Sequence, residues 1–151
     1  MPTVHMLIGI PGSGKTTFGR KLQKELNCPI VSSDAVRNMH PTWKEDLIWP
    51  EIFRLCTEIL ASNSDLIFDA TNITPEVRRR FRERVRPSNI EYDVAAYYIK
   101  ADWQECYRRI EKRNTMPNER YFPLDKVIDY YHDLIPPTKE EGFIFIKEIE
   151  E

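Results

Sequence analysis

Residues 5–17, HMLIGIPGSGKTT, constrain this chain more tightly than any other stretch. Met6, Leu7, Ile8 and Ile10, with Gly9 between the last two, read as a buried strand. That strand runs directly into GIPGSGKT at residues 9–16, a complete GxxxxGK[ST] phosphate-binding loop in the strand-then-helix context such a loop requires. Glycines at 9, 12 and 14 let successive backbone N–H groups point inward at a polyphosphate. Lys15 can reach the β and γ phosphates and the Thr16 hydroxyl can hold Mg²⁺. A helix beginning at about Lys15 turns its partly positive N-terminus to the same anion. The motif therefore predicts binding of a nucleoside triphosphate, with Gly12, Ser13, Gly14, Lys15, Thr16 and Thr17 as the contacts.

A chain of 151 residues suffices for one domain with one core, and no composition break divides it. Its net charge of -2 argues against a global nucleic-acid field, so any such site is a local patch. Cys28, Cys56 and Cys106 are widely spaced and form no CxxC, which reads as reduced core thiols in a cytoplasmic protein. No apolar run approaches the roughly 20 residues needed to span a bilayer, and the N-terminus enters the first strand without a signal peptide. No membrane partner is expected, and oligomeric state is not legible.

After the loop, Phe18, Leu22 and Leu26 make one stripe of a helix that ends near Asn27 and Pro29. Residues 29–32 read as a second strand, delivering Asp34 and Arg37 to its C-terminal end, where ligands bind in a parallel sheet. Their i,i+3 spacing puts both on one helix face, although Asp34 also suits a plain helix cap. Pro41 and Pro50 punctuate an irregular segment, and residues 51–61 read as a buried helix. Residues 66–69, LIFD, form a third strand with Asp69 at its end, a position that supports Mg²⁺ or serves as a simple turn residue.

Thr74 and Pro75 open the next helix as cap and first position. Its apolar stripe is Val77, Phe81 and Val85, and arginines at 78, 79, 80, 82, 84 and 86 fill almost everything else. That run reads either as a solvated face or as a platform for a phosphate backbone, with Arg78 and Arg84 the better placed. Residues 92–99 form a long fourth strand. A helix over about 102–113 carries Arg109 and Arg113 at i,i+4, a like-charge pair most easily explained by an anion between them. Residues 114–118 suit a lid, taken with its helix as a lid region at about 102–122. Another helix over 123–134 and a marginal strand over 143–149 complete the chain. The sum is an α/β P-loop kinase fold spanning residues 1–151 as a single domain, a parallel sheet of about five strands with helices on both faces.

GIPGSGKTT, the SDAVR segment at 33–37, DATNITPEVRRR at 69–80, and RIEKR at 109–113 followed by FPLD at 122–125 resemble the kinase domain of phage-type polynucleotide 5′-hydroxyl kinases. The resemblance spans nearly the whole chain. It implies that Lys15 and Thr16 bind ATP and Mg²⁺, that Asp34 is the general base, and that Arg37 holds the acceptor's neighbouring phosphate. It further implies that Arg109 and Arg113 clamp the donor phosphates and that Thr71 and Asn72 lie on the acceptor side. The substrate it implies is a 5′-hydroxyl end of DNA or RNA. Two departures stand out: no DxDGT phosphatase motif is present, and Asp69 precedes Ala70 where some members place an Asp directly before Thr-Asn. Asp69 is left to metal or acceptor. A kinase of a small-molecule hydroxyl or of hydroxymethylated bases in DNA, and a non-catalytic ATP switch, share the same loop.

Overall fold

The computed structural model describes residues 1–150. Five parallel strands form one sheet in the order β2-β3-β1-β4-β5. They are β1 (Thr3–Ile8), β2 (Ile30–Ser32), β3 (Leu66–Asp69), β4 (Asp93–Lys100) and β5 (Ile146–Glu150). The helices between them are α1 (Lys15–Leu26), α2 (Ser33–Met39), α3 (Glu45–Ala61), α4 (Pro75–Arg84), α5 (Trp103–Asn114) and α6 (Leu124–Asp133), with a 3₁₀ turn at Lys139–Glu141. This is the expected α/β P-loop kinase fold.

The period-2 alternation of β1 assigns its two faces. Val4, Met6 and Ile8 pack with Ile48, Ile52, Cys56 and Leu60 of α3 and with Phe81 of α4. Leu7 turns the other way, onto Leu22 of α1 with Ile67 and Tyr97. A third cluster joins Ile10 to Cys106 and Ile110 of α5 and Val127 of α6, which sets that helix pair against the end of the phosphate loop. All three cysteines are free and buried, and burial pushes the Cys56 thiol up to about 12. No described helix is long and apolar enough to cross a membrane.

Register places the site. Ser32 pairs with Asp69, and Asp69 with Leu7, so β2, β3 and β1 end side by side. The chain leaves those three ends as Ser33-Asp34, Ala70-Thr71 and the phosphate loop. Three chemically distinct segments thus converge on one edge of the sheet, as parallel topology requires.

Some boundaries differ from expectation. Helix α3 begins at Glu45 and runs straight through Pro50. A proline in the second turn forfeits one hydrogen bond, but Ile48 and Ile52 are both buried and Glu45 and Asp46 favour the helix N-terminus. Leu26 is 38% exposed, because α1 ends there and Asn27 takes the left-handed conformation (φ 52°). β5 starts at Ile146 rather than 143, although Phe145 and Ile144 already bond to β4.

Candidate active site

The phosphate loop is shaped by backbone that only glycine adopts at ease. Gly12 and Gly14 have φ of 82° and 96°. A Cβ on Gly12 would stand 2.7 Å from the Cys106 carbonyl oxygen of α5, and the Gly12 carbonyl itself accepts a hydrogen bond from Arg109 Nη1 at 3.0 Å. The loop is therefore seated directly on α5. Gly12→Ala is expected to cost at least ~1–2 kcal/mol from the left-handed conformation alone, before the clash. In a chain of this size each kcal/mol lowers Tm by roughly 2–4 °C. Calorimetry checks it, and an unchanged Tm would show that the loop moves away from α5 without loss.

A cleft of about 440 Å³ opens above these strand ends. Gly12, Gly14, Lys15, Thr16 and Thr17 line it from the loop, Asp34 and Arg37 from α2, Asp69 and Thr71 from β3, and Arg113 from α5. The Thr16 hydroxyl donates to Asp69 Oδ2 at 3.0 Å. Two hard oxygen donors side by side at the mouth of a phosphate cradle are what Mg²⁺ takes, so this pair fits the ion. Ser13 is fully buried, and its hydroxyl has no hydrogen-bond partner among the described residues.

Asp34 is not the cap of α2. Ser32 caps it, its hydroxyl accepting from the Ala35 amide at 3.2 Å. Asp34 sits in the first turn with an exposed carboxylate, whose Oδ1 accepts from Arg37 Nη1 at 2.9 Å. On its other side Arg37 is forked onto Glu45: Nε donates to both carboxylate oxygens at 3.1 Å and Nη2 to Oε1 at 2.8 Å. Burial alone would lower the Arg37 pKa, but the Glu45 fork and Asp34 outweigh it and raise it. The hydrogen bond from Arg37 likewise holds Glu45 below the usual carboxylate range. Three of the five guanidinium N–H groups are thus engaged and two remain for a ligand.

The structure separates residues that sequence grouped together. Arg113 lines the cleft, whereas Arg109 donates to the Gly12 carbonyl and lies 3.4 Å from Glu105. Neither Asn72 nor Arg78 lines this cleft, although Asn72 lines the neighbouring concavity between α3 and α4. Asn72 is buried with φ 47°, and its side-chain amide donates to the Leu7 carbonyl at 2.8 Å. Arg78, 1% exposed, donates to the Asn72 carbonyl at 2.8 Å and forks onto Glu141 at 2.7 and 3.1 Å. Both are struts beneath the cleft floor.

Sequence reasoning missed Glu45, Trp49, Arg120, Tyr121, Lys126 and Tyr130, all of which line the cleft. Glu45 falls in the proline-punctuated stretch without readable periodicity. Arg120 and Tyr121 belong to a loop closed at its base by Asn114, whose side chain donates to the Phe122 carbonyl at 2.8 Å and accepts its amide at 2.9 Å. Nothing local in the sequence marks that clasp.

A family model described as an AAA domain matches residues 4–137. The chain belongs to the AAA domain family. Among relatives, this AAA domain is similar to a shikimate kinase of Paracidovorax citrulli (strain AAC00-1), 28% identical over 163 residues covering 95% of this chain and 81% of that protein. Among solved structures it resembles a gluconokinase from Sinorhizobium meliloti 1021, with a TM-score of 0.62, 18% identity, and coverage of 99% of this chain and 82% of that one. It also resembles a chain of the Pnkp1/Rnl/Hen1 RNA repair complex, with a TM-score of 0.74, 21% identity, and coverage of 88% of this chain and 44% of that one. At such identities the structural likeness establishes a shared fold.

Proposed function

We propose that this AAA domain is an ATP-dependent phosphotransferase that moves the γ phosphate onto the 5′-hydroxyl end of DNA or RNA. The observation that carries the reading is that Asp34 and Arg37 line the same cleft as Lys15 and Thr16. A carboxylate and a cation with free donors then face the donor phosphates, which is what an acceptor bearing both a hydroxyl and a neighbouring phosphate needs.

In this reading the loop amides and Lys15 hold the polyphosphate. Thr16 and Asp69 are the residues that would hold Mg²⁺, an ion that neutralises charge on the β and γ oxygens. Asp34 takes the proton as the acceptor oxygen bonds to the γ phosphorus, and the bond to the bridging oxygen of ADP breaks. Arg113 meets the charge on the transferring group. Arg109 acts one step back, by fixing the Gly12 carbonyl and with it the loop. The two free donors of Arg37 take the acceptor's adjacent phosphate, with Thr71 beside it. Residues 1–151 work as one kinase domain in the cytoplasm, with Arg120 and Tyr121 on a lid within about 102–122.

A second reading, a kinase of a small hydroxy acid, has the relationship to a shikimate kinase in its favour. Arg37 would then hold a carboxylate instead of a phosphate. Transfer of labelled γ phosphate to 5′-hydroxyl DNA, 5′-hydroxyl RNA, nucleosides, shikimate and gluconate separates the two. Preferred labelling of the oligonucleotides is expected; preferred labelling of a free acid or nucleoside would give the site to the second reading.

A further inference from the structure

A second concavity of about 930 Å³ lies between α3 and α4. Glu45, Trp49, Thr71 and Tyr130 line both it and the candidate active cleft, so the two are one continuous path. The five arginines of α4 divide around this groove. Arg78 is buried on Glu141, Arg79 lies 3.7 Å from Glu83, and Arg82 lies over the Phe143 ring at 5.3 Å. Arg80 and Arg84 line the groove, and among the described residues neither makes a hydrogen bond or ion pair. They stand at i,i+4, about 5–6 Å apart at Cβ, in one row along the wall.

The opposite wall is nearly neutral. Glu45 is held by Arg37 and Glu58 by Arg54, which leaves Asp46 as the carboxylate there without an ion partner. Between the walls the lining is aromatic: Trp49, Phe53 and Tyr130 are half-buried, over buried Phe68 and Phe81. Unpaired cations in a row beside aromatic faces form the combination that binds single-stranded nucleic acid, with phosphates on one and bases stacked on the other.

We propose that the α3–α4 groove seats the nucleotides following the 5′-terminal one of a single-stranded acceptor, with Arg80 and Arg84 on successive backbone phosphates. The inference rests on the 5′-hydroxyl kinase reading and gives it a direction: the strand end lies at Asp34 and the strand leaves between α3 and α4. A small hydroxy acid would not reach this groove.

The test uses the full chain, ATP, and single-stranded 5′-hydroxyl oligonucleotides of increasing length, compared with a 3′-phosphorylated nucleoside. KM is expected to fall with length in the native protein. Arg80→Gln with Arg84→Gln should remove that gain while leaving kcat and the KM of the 3′-phosphorylated nucleoside unchanged. The plot of log KM against log salt for a long oligonucleotide should become shallower by about 1.4, roughly 0.7 for each lost phosphate contact on a single strand. Normal transfer to oligonucleotides with no length dependence, or length dependence intact in the double variant, would overturn the groove and leave the 5′-hydroxyl reading standing. No transfer to an oligonucleotide of any length would remove both. Sedimentation showing a dimer that the double variant dissolves would assign the groove to a second copy of this chain instead.

Discussion

Asp34→Asn is expected to slow phosphate transfer by roughly 10²- to 10⁴-fold, the usual contribution of a positioned general base, with ATP affinity unchanged. The substitution keeps the side chain's shape and can still accept from Arg37, so the clasp survives while the basicity is lost. Asp34 touches Arg37 through Oδ1, and Oδ2 has no hydrogen bond among the described residues, leaving it open to an acceptor hydroxyl. Because the carboxylate is 72% exposed, little stability should change with it. The loss should fall on kcat with a smaller effect on KM, the pattern of a group that acts in the transition state. Its size does not depend on whether the acceptor is an oligonucleotide or a small hydroxy acid, since either hydroxyl must shed its proton. Steady-state kinetics with saturating ATP decides the matter: near-normal turnover by the asparagine variant would leave the cleft without its proposed proton acceptor.

Those elements were legible in sequence where local rules and tertiary demands coincide. The loop glycines, the Thr74-Pro75 start of α4 and the LIFD strand each obey a rule that their environment also enforces. The placement of Asp34 and Arg37 at the strand-end cleft is legible because strand polarity fixes which end of a parallel strand faces ligand. The i,i+4 spacing of Arg109 and Arg113 carries no sign that a backbone carbonyl 97 residues away in sequence accepts a hydrogen bond from Arg109. Glu45 was invisible for a related reason: its partner Arg37 lies across an irregular segment, and Pro50 hid the first turn of α3. The α4 arginines show both sides. Periodicity at 78, 81 and 85 puts Arg78 on the buried stripe with Phe81 and Val85, and all three are at most 1% exposed. An arginine at a core position signals a buried partner, but Glu141, 63 residues on, carries no mark that links it to α4.

Removing that strut should be the most damaging single change for stability. Arg78→Met keeps much of the side chain's volume but leaves the Glu141 carboxylate, itself only 15% exposed, without its cation. Breaking one side of a buried ion pair typically costs about 3–5 kcal/mol, because the remaining charge stays desolvated. The Asn72 carbonyl loses its guanidinium donor as well, and Asn72 ties the residue after β3 to the Leu7 carbonyl at the end of β1. The damage should therefore spread to the cleft floor and weaken ATP binding, although Arg78 touches no ligand. Arg78→Met combined with Glu141→Leu should recover part of the loss, since two apolar groups can replace a buried pair at little cost. Acid should reproduce the effect in the native protein. Burial alone would raise the Glu141 pKa, but the Arg78 fork and the Thr138 amide outweigh it and hold it below the usual carboxylate value. A group depressed in this way contributes stability above its unfolded pKa of about 4.3, and that stability is lost as pH falls through the lower folded value. Denaturant unfolding of the two variants across that acid range distinguishes a strut from a bystander. If Arg78→Met unfolds at the native midpoint, or keeps the native slope of stability against pH below about 4, the coupling between this ion pair and the cleft floor does not exist.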